Sequence, residues 1–178
     1  MKTIYRSGPE GPWIIRDNPL VVYRAHSPEE VSPLLERVEY ETGTKRLFAA
    51  GFLLYEAACA FNPHYRNHRE SGDLPLAQFA LYREEEYRKC SALPVSAEDI
   101  QVSTLVPEIS REQYTSAFET VREQIRQGNT YQINLTFRLH ARYSGDPFSW
   151  FYARAEGGHG RYAMYFEDDV MAIASLSP

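Results

Sequence analysis

The sequence predicts an α+β protein, with mostly antiparallel sheet and helices on the outside. Two segments open as helices with capping boxes, Ser27-Pro-Glu-Glu30 and Ser110-Arg-Glu-Gln113. Short apolar runs bounded by turn residues indicate strands between and after these helices. Residues 161–166 and 170–175 are predicted to form a hairpin about Glu167-Asp-Asp169, which supports antiparallel pairing.

The predicted elements follow one another along the chain. Helices are expected over 28–43, 56–61, 110–127 and 147–154, and strands over 13–16, 20–24, 47–55, 76–82, 131–139, 161–166 and 170–175. Gly51, inside the third strand, indicates a bulge or a close approach by another backbone. Residues 91–109 are predicted to be a connecting segment and are the best candidate for a domain boundary.

Apolar stripes predict which faces of these elements are buried. The helix from residue 28 carries Val31, Leu34, Leu35 and Val38, and the helix from residue 110 carries Tyr114, Phe118, Val121 and Ile125. Both stripes have helical spacing and are predicted to be buried. The run Val170-Met-Ala-Ile-Ala174 is continuously apolar, which predicts a strand buried on both faces.

The segment Gly128-Asn-Thr-Tyr-Gln-Ile-Asn-Leu-Thr136 is the most informative part of the chain. Gly128 is expected to end the preceding helix, and the strand predicted after it has two different faces because side chains alternate. One face is apolar: Tyr131, Ile133, Leu135, Phe137 and Leu139. The other is polar: Gln132, Asn134, Thr136 and Arg138. Amides and hydroxyls orient polar ligands in pockets, although the pattern alone also fits a solvent-exposed strand.

Composition excludes several classes of protein. Hydrophobic residues make up 43% of the chain and charged residues 24%, which is typical of a globular protein. The net charge of -5 argues against nucleic-acid binding. The chain has no apolar run long enough for a transmembrane helix and no signal-peptide core at its start. We therefore expect a cytoplasmic protein without nucleic-acid or membrane partners.

Candidate metal ligands are better explained by structural roles. His64 and His68 lie four residues apart, but no third ligand is apparent. Asp168-Asp169 fits a turn better than a metal site. The two cysteines, at positions 59 and 90, form no metal-binding motif, and we expect no disulfide between them in a reducing compartment. No catalytic or metal-binding residue is assigned to this chain.

Four segments together resemble a known family. They are the segment 128–136 described above, Gly51-Phe-Leu-Leu-Tyr-Glu-Ala-Ala58, Arg161-Tyr-Ala-Met-Tyr-Phe166 and Ser175-Leu-Ser-Pro178. In this order they resemble the motifs of the chorismate-utilising synthases of the para-aminobenzoate and anthranilate type. The resemblance implies that family's layered α/β/β/α sandwich. It also implies two regions: residues 1–109 as the N-terminal region of the synthase fold, and residues 110–178 as a truncated start of the chorismate-binding region.

The resemblance implies an activity as well. Asn134 and the short N-terminal region favour the para-aminobenzoate branch, in which an amino group replaces the 4-hydroxyl of chorismate in folate biosynthesis. Ammonia then comes from a glutamine amidotransferase subunit, and Mg²⁺ binds the substrate carboxylate. The family's Mg²⁺-binding glutamates and catalytic lysine belong to the later half of its sequence, so none is assigned here. The chain stops at Pro178, one residue before an expected glutamate, and we expect an inactive N-terminal portion of the enzyme.

The resemblance also suggests site residues. Gln132 stands where relatives that add water to chorismate carry lysine, and an amide cannot act as a base. We expect Gln132, Asn134 and Thr136 to bind substrate, with a buried structural amide as the alternative for Gln132. Tyr162 resembles a tyrosine lining a tryptophan pocket in some members. Because Arg161 replaces the usual small residue and another pocket element is missing, a core aromatic is the favoured role for Tyr162.

Two other functions remain open at this point. One is the corresponding part of an anthranilate synthase component I, which an intact amino-acid pocket would favour. The other is a non-catalytic module that keeps the fold and only docks a glutaminase subunit. In each case we expect self-association as a possible homo-oligomer, because an interrupted sheet exposes unpaired strand edges.

Overall fold

The chain folds into two compact units. The computed structural model describes residues 1–8, 11–62, 64–65, 74–93, 101–157 and 162–177. The first unit comprises Met1–Val95 with Pro147–Pro178, and the second comprises Ser96–Asp146. The boundary at Val95 falls within the connecting segment predicted over 91–109. The family regions 1–109 and 110–178 divide the chain differently and stay a prediction.

Three helices, a 3₁₀ turn and twelve strands make up the described residues. The helices are α1 (Pro28–Lys45), α2 (Arg111–Arg126) and α3 (Pro147–Glu156), and the 3₁₀ turn covers Tyr55–Ala60. The strands are β1 (Lys2–Ser7), β2 (Trp13–Asp17), β3 (Val21–Ala25), β4 (Leu47–Leu53), β5 (Ala77–Arg83), β6 (Arg88–Cys90), β7 (Gln101–Val102), β8 (Val106–Pro107), β9 (Leu139–His140), β10 (Tyr143–Ser144), β11 (Tyr162–Glu167) and β12 (Ala172–Ser177).

The first unit is built in four layers. A five-stranded sheet has the order β12-β11-β1-β2-β6, and a three-stranded sheet has the order β3-β5-β4. Every pairing in both sheets is antiparallel. Helix α3 packs on one face of the larger sheet, α1 packs on one face of the smaller sheet, and apolar side chains fill the space between the sheets. The α+β class and its layered sandwich are therefore confirmed.

Side-chain alternation along β1 produces two of these layers. Ile4 is fully buried in the cluster that α3 covers. Thr3 points to the opposite side, where its hydroxyl lies 2.9 Å from the Tyr82 hydroxyl of β5. Burial raises the pKa of Tyr82, and the hydrogen bond with Thr3 opposes that rise in part. One strand thus joins the α3 core to the interior between the sheets.

Helix α1 begins as predicted and ends later than predicted. The Glu30 carboxylate accepts hydrogen bonds from the backbone N–H groups of His26 and Ser27, so the capping box is formed. Val31, Leu34 and Val38 are buried, and Leu35 packs beside them. The helix continues past Gly43 to Lys45 and stops at Arg46, which has the left-handed conformation common at helix ends. The predicted stop at Gly43 is therefore wrong by two residues.

Gly51 provides the close backbone approach predicted from its place in a strand. A Cβ atom at this position would lie 1.9 Å from the carbonyl oxygen of Gln78 in the neighbouring strand β5. Real Cβ atoms do not approach a carbonyl this closely, so only glycine fits without a backbone shift.

Strand β12 corrects the prediction of a doubly buried strand over 170–174. Val170 is 77% exposed and belongs to the turn between β11 and β12. Four of the six β12 residues are exposed, and among the described residues β12 is the last strand of its sheet. Strands β1 and β6 were not predicted. The basic residues of β6 concealed it in a charged stretch, and β1 has only two adjacent apolar residues, Ile4 and Tyr5, between polar ones.

The second unit differs most from the prediction. Helix α2 has the expected capping box, with Gln113 accepting from the Ser110 N–H and donating its own N–H to Ser110 Oγ. None of its residues is buried, so its predicted buried stripe is exposed or half-exposed. The prediction of a strand over 131–139 is also wrong. In this part of the chain only the short strand β9, Leu139–His140, forms, and it pairs with β8. A segment whose polar and apolar residues alternate forms a strand only where a neighbouring strand supplies hydrogen bonds.

Some predicted features lie outside the described residues. These are His68, Arg161, Pro178 and the middle of the connecting segment, residues 94–100.

Candidate functional site

The predicted substrate-binding residues lie at the surface of the second unit. Gln132, Asn134 and Thr136 fall in residues 131–138, which have no regular secondary structure. All three are exposed, and the Thr130 hydroxyl donates a 3.0 Å hydrogen bond to the Gln132 carbonyl. The alternative of a buried structural amide for Gln132 is therefore wrong. The substrate-binding role of the three residues stays a prediction.

Their apolar neighbours are exposed as well. Tyr131 is 93% exposed, and Ile133 is 43% exposed. Phe137 contacts the ring of Tyr114 on α2, with the ring centroids 5.7 Å apart. The predicted apolar face is thus only partly covered within the described residues.

A second candidate site is a cavity between the two sheets of the first unit. Its volume is about 450 Å³. Its walls include the aromatic and sulfur-bearing residues Tyr5, Phe48, Phe79, Tyr162 and Met164, together with Gly51 and the serines at positions 175 and 177. Tyr162 is 57% exposed, so its favoured assignment as a core aromatic is wrong. The tyrosine instead stands in the wall of an accessible cavity.

Two aromatic residues of the cavity wall contact each other across the sheets. The rings of Tyr5 and Phe48 are stacked, with centroids 5.5 Å apart and planes 7° apart. Tyr5 lies in β1 and Phe48 in β4, so the stack joins the two sheets. Aromatic lining residues with serines nearby suit an aromatic side chain that carries a polar group.

Arg16 supports the same wall from behind. Its guanidinium lies 4.0 Å from the centre of the Phe48 ring, a cation–π distance. The residue is only 4% exposed, and its two terminal nitrogens donate to the backbone carbonyls of Arg83, Glu84 and Glu86 at 2.9–3.2 Å. These carbonyls satisfy a charge that would be costly to bury alone. Arg16 therefore fixes the β5–β6 connection and Phe48 together.

Asp168 has a structural role in a turn, as predicted. Its Oδ1 accepts from the backbone N–H groups of Val170 and Met171 at 2.9 and 3.1 Å. Its Oδ2 accepts from the Gln78 amide at 2.8 Å and lies 3.6 Å from a nitrogen of Arg24. Burial raises the pKa of Asp168, but these hydrogen bonds and the Arg24 charge outweigh burial and lower that pKa overall. Across the described part of the chain, no three His, Cys, Asp or Glu side chains form a group able to hold a metal ion.

Several cavity residues were missed by sequence reasoning. Tyr5 and Phe48 come from strands far apart in the sequence, and only the sheet-on-sheet packing brings them together. Neither residue has a sequence pattern that indicates this meeting: Tyr5 lies in a strand without alternation, and Phe48 lies in a largely apolar strand.

Comparison with known protein families identifies the class of protein to which this fold belongs. The family model for chorismate binding enzymes matches residues 3–178, so the chain belongs to the family of chorismate binding enzymes. It is 37% identical over 70 residues to the aminodeoxychorismate synthase component 1 of Escherichia coli (strain K12). It is 31% identical over 108 residues to the aminodeoxychorismate synthase component 1 of Klebsiella aerogenes.

These alignments cover parts of each protein. The first spans 39% of this chain and 16% of the Escherichia coli relative, and the second spans 61% of this chain and 23% of the Klebsiella relative. The chain thus matches less than a quarter of the length of either relative. Within the described ranges, the helices are too short or too polar to cross a membrane.

Proposed function

We propose that this chain is part of an enzyme that converts chorismate and ammonia to 4-amino-4-deoxychorismate, a step in folate biosynthesis. The observation that carries this proposal is the 37% identity to a protein named aminodeoxychorismate synthase component 1, in a chain that belongs to the chorismate-binding family. In the whole enzyme, which we expect in the cytoplasm, a glutamine amidotransferase subunit would supply the ammonia. The name "component 1" of both relatives supports a partner of this kind.

We assign a substrate-orienting role to Gln132, Asn134 and Thr136. Their side chains offer amide and hydroxyl groups, which bind the hydroxyl and carboxylate groups of chorismate without acting as bases. The exposure of all three leaves them accessible to substrate and to neighbouring protein. Because Gln132 cannot deprotonate water, its presence supports transfer of an amine over addition of water.

The cofactor proposed for the whole enzyme is Mg²⁺. The described residues do not fit an Mg²⁺ site, because no group of three suitable ligands converges among them. No catalytic step is therefore assigned through the metal. For the same reason we propose that the 178-residue chain alone does not turn over chorismate.

Two assays test this proposal. The chain alone, incubated with chorismate, an ammonium salt and Mg²⁺, is expected to give no product by mass spectrometry. A chimera in which this chain replaces the matching segment of the Escherichia coli relative is expected to form 4-amino-4-deoxychorismate. Product from the chain alone would contradict its proposed inactivity.

The chimera also separates the alternatives. Formation of anthranilate would favour an anthranilate synthase component I. A folded chimera without activity that still binds the glutaminase subunit would favour a non-catalytic docking module. The corresponding measurement of the partner is co-purification of the chimera with that subunit.

The cavity beside Tyr162 supports a second proposal, an amino-acid pocket. Its stacked aromatic wall, its serines and the exposure of Tyr162 suit an aromatic amino acid such as tryptophan. The pocket lies in the first unit, whereas the proposed substrate residues lie in the second. Ligand binding at Tyr162 is therefore testable without turnover.

A further inference from the structure

Arg16 of β2 contacts residues of both sheets of the first unit. It is 4% exposed and stands opposite Thr3 of β1, whose hydroxyl faces the smaller sheet. Its Nε donates to the Tyr5 hydroxyl at 3.5 Å, and its guanidinium lies 4.0 Å from the centre of the Phe48 ring. Tyr5 belongs to the larger sheet and Phe48 to the smaller, and both line the cavity. Arg16 therefore contacts the cavity wall without lining the cavity itself.

The same guanidinium contacts the chain connection between β5 and β6, residues 84–87. As described above, its two terminal nitrogens donate to three backbone carbonyls at the start of and within this connection. The ring of Tyr87, in the same connection, lies 5.1 Å from the guanidinium carbon. All four residues of the connection are exposed, and Tyr87 is 42% exposed. One buried cation thus contacts both an exposed connection and a cavity wall.

The shape of the guanidinium makes these contacts depend on one another. Its N–H donors lie in one plane and at fixed angles, so they move as a unit. A shift of the connection carbonyls would therefore displace the group that contacts Tyr5 and Phe48. We propose that Arg16 is a positioning residue that holds these two rings in the cavity wall, and that it makes ligand affinity in the cavity depend on the β5–β6 connection. The second part of this inference rests on the amino-acid pocket proposed above.

The position of the two rings matters for affinity because they come from different sheets. Their centroids are 5.5 Å apart, and Arg16 contacts both of them. Without Arg16 the rings keep only their packing, and a ligand would have to order them as it binds. That ordering costs free energy and lowers affinity. The three carbonyls that satisfy the buried charge hold Arg16 in place before any ligand arrives.

Arg6 is a second buried arginine beside this cavity, but it belongs to the other side of the larger sheet. Its nitrogens donate to the Glu156 carboxylate and to the Ala155 carbonyl, both in α3. Its guanidinium lies 4.6 Å from the centre of the Trp13 ring. Arg6 therefore fixes α3 on the sheet, and the contact with Tyr5 and Phe48 distinguishes Arg16 from it.

The first test is Arg16→Lys, which keeps the positive charge. A single ammonium cannot reproduce the planar set of contacts to three carbonyls and the Tyr5 hydroxyl. The Kd for tryptophan, measured by calorimetry well below the unfolding temperature, is expected to rise by about tenfold, the equivalent of one or two lost hydrogen bonds. Arg154→Lys makes the same change at an exposed position of α3 and is expected to leave the Kd unchanged. An unchanged Kd with Arg16→Lys would overturn the positioning role.

The second test changes the connection and leaves Arg16 in place. Tyr87→Ala removes an exposed ring that does not line the cavity, so the variant is expected to fold. The Kd for tryptophan should still rise, by about threefold, because Arg16 loses one of its aromatic contacts. Tyr40→Ala, at a 65% exposed position of α1, is the control and should have no effect. If Tyr87→Ala leaves the Kd unchanged, the cavity does not depend on the connection and that part of the inference is wrong.

A third measurement needs no ligand. Met164 stands opposite Tyr5 in the neighbouring strand and lines the cavity, so its methyl resonance senses the ring currents of the wall. In the ligand-free protein, Arg16→Lys is expected to shift the Met164 methyl signal in NMR spectra and to leave that of Met171, in the turn before β12, in place. An unmoved Met164 signal overturns the positioning role whether or not the cavity binds tryptophan. A shifted signal in a chain that binds no tryptophan would refute the amino-acid pocket and support the role of Arg16.

Discussion

The side-chain amide of Gln78 donates a 2.8 Å hydrogen bond to the carboxylate of Asp168, 90 residues further along the chain. Gln78 lies in β5 of the smaller sheet, fully buried, and Asp168 lies in the turn between β11 and β12 of the larger sheet. The carboxylate side chain is only 8% exposed. This contact fixes the position of the β11–β12 hairpin against the second sheet.

Asp168 should make stability depend on pH in acid. Its pKa is lowered in the folded state, so its contribution is present above the ordinary pKa of aspartate, about 3.9, and is lost as the pH falls through the lower folded pKa. Asp168→Asn should destabilise the protein at neutral pH by about 1–3 kcal/mol. The reason is that the Gln78 amide and the N–H groups of Val170 and Met171 lose a charged acceptor. Urea unfolding at several pH values should show this difference shrinking in acid. A constant difference across pH would contradict the role of the charge.

Gly51 should tolerate no side chain. Gly51→Ala would place a Cβ 1.9 Å from the Gln78 carbonyl oxygen, and we expect a loss of about 3 kcal/mol or more. The control is Gly43→Ala, at an exposed position inside α1 with no atom within 4 Å of the new Cβ. That change should stabilise the helix by about 0.5–1 kcal/mol. Thermal unfolding of both variants measures the contrast, and equal effects would refute the close approach.

Two phenylalanines should contribute very different amounts to the free energy of unfolding. Phe151 is fully buried among aromatic rings, so Phe151→Ala should cost about 3–5 kcal/mol. Phe118 of α2 is 42% exposed, so Phe118→Ala should cost less than about 1 kcal/mol. Denaturant unfolding of the two variants gives both values. A comparable loss at Phe118 would mean that the α2 stripe is covered in solution.

Gln132 should matter for amination in the chimera with the Escherichia coli relative. Gln132→Lys introduces a cation in place of an amide, and we expect kcat/KM to fall by about tenfold or more, the equivalent of one or two lost hydrogen bonds. Gln101→Lys makes the same chemical change at an exposed position of β7 and should leave kcat/KM unchanged. An unaltered rate with Gln132→Lys would exclude contact between this residue and the substrate.

Tyr162 should contribute to binding of an aromatic amino acid. Tyr162→Ala removes part of the cavity wall, and the Kd for tryptophan measured by calorimetry should rise by about tenfold. Tyr143→Ala, at another exposed tyrosine in the second unit, should not change this Kd. If the wild-type chain binds no tryptophan, the amino-acid pocket is refuted while the proposed chorismate chemistry is unaffected.

The sequence by itself determined the helices and the class of fold. The capping residues Ser27 and Ser110 act within one turn, so local chemistry is sufficient to locate both helix starts. The stripe of α1, the need for glycine at position 51 and the family motifs were likewise visible in the sequence.

Only the tertiary structure decided which apolar faces are covered. The stripes of α1 and α2 have the same spacing, but α1 packs on a sheet and buries Val31, whereas α2 has no buried residue. The edge position of β12, the exposed segment around Gln132 and the meeting of Tyr5 with Phe48 depend on partners distant in the chain. Burial and strand pairing are properties of neighbours in space, and periodicity in a sequence does not specify those neighbours.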